Sequence, residues 1–89
     1  MMRISVSGKS AEAVILRVEG QLAGPWVEEL RKSCEALLAE GSCVSLVATG
    51  ISFASSSGLL LLRDLMNRGV ELRNCPLFLA AQLKEFSEP

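Results

Sequence analysis

Two apolar segments separated by a helix's length of amphipathic sequence constrain this chain more than any other feature. Ala13–Glu19 sets Val14, Leu16 and Val18 on one side and Arg17 and Glu19 on the other, the period of a half-buried strand. Cys43–Ala48 is apolar on both faces apart from Ser45, as expected of a strand placed centrally in a sheet. Between them, from Trp26 to Glu40, the residues Trp26, Val27, Leu30, Cys34, Leu37 and Leu38 fall on one helical stripe, with Glu28, Arg31, Lys32 and Glu35 opposite. Pro25 suits the first helical position, where its missing N–H costs nothing, and Gly41 suits the stop. Strand, helix and strand in that order predict a right-handed parallel crossover. If the stripe packs in this way, Trp26→Ala should cost about 3–5 kcal/mol.

The remaining elements follow the same logic. Arg3–Ser7 alternates Ile4 and Val6 with polar residues, and Ser7-Gly8-Lys9-Ser10 is turn chemistry, so the first two strands should form an antiparallel hairpin. Gly20 to Gly24 reads as a loop, and Thr49–Ser57 as a long polar connection carrying Ile51 and Phe53. Gly58–Arg68 is a second helix ended by Gly69, and Val70–Arg73 a short strand with Val70 and Leu72 inward. Asn74-Cys75-Pro76 opens a third helix, Pro76–Phe86, leaving Ser87-Glu88-Pro89 as a frayed end. The predicted fold is α/β: a small mixed sheet of about four strands covered by helices, in the order β-β-α-β-α-β-α, one domain over residues 1–89.

Composition narrows the function. At 89 residues the chain buries only about two thirds of its unfolded surface, and with 49% hydrophobic but 4% aromatic residues its core must be filled by Leu, Val, Ile and Ala. A net charge of -1 argues against a nucleic-acid binder. The three cysteines, Cys34, Cys43 and Cys75, match no zinc or redox spacing and point to a reducing compartment, with Cys34 and Cys43 expected in the core. Uninterrupted apolar runs such as Leu59–Leu62 are far short of the ~20 residues of a membrane span, so a soluble, cytoplasmic protein is expected. The chain has no histidine and no tyrosine, no phosphate-cradling loop and no paired carboxylates. The expectation is a protein that is not an enzyme and takes no metal or cofactor.

One stretch stands apart. In Ile51–Leu59 three serines, Ser55, Ser56 and Ser57, run straight into Gly58 and an apolar helix. One serine suffices to cap the helix. A phosphate on a second would meet free N–H groups and a partial positive charge, and would put roughly -2 on a neutral surface. On the helix itself, Gly58, Leu59, Leu62, Leu65 and Met66 share one face. Leu60 falls among the polar residues and Leu61 at the margin, so these two leucines are expected to form a small docking patch beside the serines.

Position for position, Ile51–Leu59 resembles the Val-Thr-Phe-Ile-Asp-Ser-Ser-Gly-Leu-like motif that opens the second helix of STAS domains, the anti-sigma-factor-antagonist family. Leu46–Gly50, the Gly20–Leu22 turn and Arg68–Asn74 also fit that family's pattern, so the resemblance spans nearly the whole chain. It implies a bacterial partner-switching module of transcription regulation, phosphorylated on serine by its partner, a kinase that is also the anti-sigma factor. Carried over, the phosphorylated residue is Ser56, with Ser55, Ser57, Gly58, Leu60 and Leu61 as its partner-binding surroundings. Two departures stand out: Ser55 replaces the motif's aspartate, and Val47 an aspartate of the third strand. They leave open an accessory STAS subunit that binds the ATPase of a bacterial lipid-transport ABC system without phosphorylation. A stressosome-type scaffold component ranks third, and an enzyme would need a reactive residue the chain does not offer.

Overall fold

The computed structural model describes residues 2–87. They form β1 (Met2–Lys9), β2 (Ala13–Leu22), α1 (Pro25–Ala39), β3 (Cys43–Ala54), α2 (Ser56–Asn67), β4 (Glu71–Arg73) and α3 (Leu77–Ser87). The four strands lie in the order β1-β2-β3-β4; β1 runs antiparallel to β2, while β3 and β4 run parallel to their neighbours. The expected α/β architecture and element order are therefore present. Of the end predicted as frayed, Ser87 closes α3, and Glu88 and Pro89 lie outside the described residues.

All three helices pack on one face of the sheet. There α1 meets β2 and β3, α2 meets β3, and α2 also touches both other helices. Inward residues of the central strands (Val14, Leu16, Val18 and Leu22; Val44, Leu46, Ala48, Ile51 and Ala54) meet Leu30 and Cys34 of α1, Leu59, Leu61, Leu62 and Leu65 of α2, and Leu79 and Leu83 of α3 in one aliphatic core. Both longer crossover helices end in the same way. Gly41 and Gly69 adopt positive φ, and the next N–H reaches back five positions into the last turn, Ser42 to Leu37 at 3.1 Å and Val70 to Leu65 at 2.9 Å.

Several boundaries differ from the sequence reading, each for a local reason. The first turn is shorter and later than Ser7–Ser10. β1 continues to Lys9 through a bulge between Val6 and Gly8, and Ser10 closes the hairpin by its backbone and hydroxyl contacts with Ala13. The loop expected from Gly20 begins only after Leu22, because Gly20, at φ 101°, lets β2 bulge and continue. Thr49–Ser57 is not a connection: β3 runs on to Ala54, pairing Gly50, Ile51, Phe53 and Ala54 with Glu19, Gly20, Gln21 and Leu22. Cys43 is exposed rather than buried, since its partner Ala13 lies on the sheet face opposite to the inward Val14–Val44 pair. Trp26 is half-buried against the edge of the core and not inside it.

Candidate functional site

The end of β3 delivers the chain to α2 at a tightly tied point. Ser55, extended at ψ 172°, is the N-cap: its Oγ accepts the Gly58 N–H at 3.2 Å, and its backbone carbonyl accepts from Leu59 at 2.9 Å. The backbone N–H of Ser55 donates to the Leu22 carbonyl at 3.0 Å, and its hydroxyl lies 3.4 Å from that same oxygen. Ser57 Oγ sits 3.2 Å from Ser55 Oγ. A serine hydroxyl has one proton. With the proton of Ser55 directed at Leu22, Ser57 donates to Ser55. The last residue of β2 and the first turn of α2 are thus joined by one short polar chain.

The three serines have separate places. Ser55 is half-buried and structural, Ser57 is exposed but leans on Ser55, and Ser56 is exposed with no hydrogen bond to its hydroxyl among the described residues. No acidic side chain lies in the first turn of α2, so its free N–H groups face solvent without a compensating charge. Leu60 follows one turn after Ser56 and is 53% exposed.

The expected leucine pair is corrected here. Leu61 is only 2% exposed and belongs to the core, whereas Met66, expected inward, is 36% exposed. The helix begins at Ser56, two residues earlier than expected, and its buried stripe takes in Gly58, Leu59, Leu61, Leu62 and Leu65, leaving Met66 in the last turn outside it. Gly58 is also buried: it packs against the backbone of Leu22, so it supports the site rather than presenting itself to a partner. Of the expected apolar patch only Leu60 reaches the surface. Phe53, read in the sequence as part of a connection, is 50% exposed at the last stretch of β3, paired with Gln21 on the uncovered face of the sheet. Its signal was the strand's continuation, which the bulges conceal.

Val47 is half-buried on that uncovered face, in register between Arg17 of β2 and Arg73 of β4. Arg73 Nε donates to the carboxylate of Glu71. Among the described residues no cluster of side chains could hold a metal ion, and no helix is long and apolar enough to cross a membrane.

No protein-family model and no curated protein matches the chain. Among solved structures it is similar to the anti-sigma factor antagonist SpoIIAA in its unphosphorylated form, with 21% sequence identity, a TM-score of 0.75, and coverage of 92% of this chain and 82% of that one. The four-stranded mixed sheet with three helices on one face is thus the STAS fold, as the Ile51–Leu59 resemblance implied.

Proposed function

We propose that this chain is a non-enzymatic partner-switching module of the anti-sigma-factor-antagonist kind, controlled by phosphorylation of Ser56. The supporting observation is the division of labour among the serines. Ser55 holds the helix by its cap, and Ser56 projects from the first turn with a free hydroxyl. A phosphoryl group on Ser56 Oγ would gain from the uncompensated N-terminus of α2 without disturbing the Ser55–Leu22 tie. It would place about two negative charges one helical turn from Leu60, on a surface a partner would otherwise meet as neutral. Binding is then switched by desolvation and charge at the interface, with no change of fold. The fold shared with an anti-sigma factor antagonist supports this reading.

A second reading draws on the two missing aspartates, Ser55 and Val47 standing in their places: an accessory subunit on a transporter ATPase, bound through Leu60 and never phosphorylated. One experiment separates the two. The tagged protein is purified from its own cells, and its partners and its Ser55–Ser57 peptide are identified by mass spectrometry. A serine kinase together with phosphate on Ser56 supports the switch, with Ser56→Asp abolishing binding and Ser56→Ala keeping it. A transporter ATPase with an unmodified peptide overturns it.

A further inference from the structure

The two edges of the sheet are unequal. β4 is an edge of only three residues, short enough to offer little to another strand. β1 is eight residues long, contains no proline, and no other described strand pairs with its outer side. Its helix-side residues Met2, Ile4 and Val6 pair with Gly20, Val18 and Leu16 of β2, but the helix layer does not extend over them fully. Met2 is buried, Ile4 half-buried, and Val6 is 61% exposed. Beside them lies a groove of about 320 Å³ lined by Met2, Ile4, Trp26, Glu29 and Ser33. A long open edge and a groove of mixed apolar and polar lining therefore lie side by side, on elements other than α2.

We propose that β1 is the interface through which two copies of this chain pair, strand against strand and antiparallel, about a two-fold axis at Ser5. Charge selects the occupant and its direction. Lys9, in register with inward Val14, stands at one end of the strand on the helix side. Glu29 lines the groove at the other end. Antiparallel pairing brings the Lys9 end of each copy to the Glu29 end of the other. The register centred on Ser5 sets Ile4 opposite Val6 twice on the helix side, in the regular stretch of β1 that precedes its bulge. The two four-stranded sheets become one, the outer N–H and C=O groups of β1 find partners, and each copy's Trp26 and Val6 lose exposed apolar surface.

The test is sedimentation equilibrium over a wide concentration range, up to the millimolar, on the whole chain. A mass rising to twice that of the monomer is expected, and Val6→Lys should weaken the association by roughly tenfold or more, since it sets a charge against Ile4 of the second copy. Val6 is largely exposed, so the variant should fold. A second variant does not depend on that: Ser5→Cys, in a chain whose Cys43 and Cys75 are serine, should form an intermolecular disulfide across the axis under mild oxidation. A monomer at every concentration overturns the proposal. So does a dimer that Val6→Lys leaves intact, or one that Ser5→Cys fails to cross-link. The interface is independent of the serine site, so Ser56→Asp should leave the mass unchanged, and loss of the dimer in that variant would overturn it too.

Discussion

The carbonyl oxygen of Leu22 occupies the space a side chain on Gly58 would need: a Cβ there would lie 2.6 Å from that oxygen and 3.0 Å from Leu22 Cγ. In an open helix, replacing glycine by alanine stabilises by up to about 1 kcal/mol. Here the sign should reverse. The obstructing atom is backbone, and the Leu22 carbonyl is held by the Ser55 N–H at 3.0 Å, so α2 must back away from β2 as a unit. Gly58→Ala should destabilise by about 1–3 kcal/mol, seen as a lower urea midpoint at unchanged slope. A stabilised variant would show that the helix and strand are not in this contact.

The serines should separate by stability alone. Ser55→Ala removes the acceptor for Gly58 N–H and should cost about 1 kcal/mol, as cap removals do. Ser56→Ala removes a hydroxyl without a partner and should stay within about 0.5 kcal/mol. Thermal unfolding of the two variants side by side checks both. Equal losses would mean that Ser56 is structural, and its exposure would then need another account.

In α1, Leu30 is 0% exposed, and Leu30→Ala should cost about 2–5 kcal/mol through lost transfer energy and the cavity left behind. Trp26 is larger but only half-buried at the rim of the β1 groove, so Trp26→Ala should cost less, about 1–3 kcal/mol. The figure expected from the helical stripe alone was higher because periodicity reports direction, not depth. Denaturant unfolding of the two variants should rank Leu30→Ala as the more damaging.

That distinction accounts for most of what was legible in the chain. The stripe of α1, the alternation of β2 and the glycine stops at Gly41 and Gly69 rest on local rules, and the structure keeps them. What local rules could not show was the second half of β3. Ala48 and Thr49 both stand opposite Val18, and Ser52 is an extra residue between the Ile51 and Phe53 pairs. Two bulges break the period of two, and Thr49-Gly50 and Ser52 read as a loop, so Phe53 was not seen as an exposed strand residue. The face of α2 was misjudged for a related reason. The almost continuous leucine run from Leu59 to Leu62 gives little angular contrast, so periodicity alone leaves the inward face of the helix loosely set. The serine cap, by contrast, was visible because one side-chain oxygen and one N–H three residues on suffice to define it.

Cys34 ties core burial to a measurable pH dependence. Its thiol is enclosed at 0% exposure between α1 and the sheet. Burial denies the thiolate its hydration and pushes the thiol from its ordinary value of 9.0 up to about 11, against the smaller opposing effect of Arg68, while Glu35 pushes the same way as burial. Above pH 9 the unfolded chain loses this proton and the folded chain keeps it. The stability that Cys34 contributes is therefore complete below the unfolded value and is lost as the pH rises from 9.0 toward 11. At about 1.4 kcal/mol for each pKa unit, the full loss approaches roughly 3 kcal/mol. Burial raises the Cys75 thiol too, so the wild-type slope alone does not isolate Cys34. Urea denaturation at about pH 8 and about pH 10.5, for the wild type and for Cys34→Ala, separates the two. The wild type should lose clearly more stability over that interval than the variant. Equal losses would mean that the Cys34 thiol ionises as freely in the folded chain as in the unfolded one, which a thiol sealed in this core could not do.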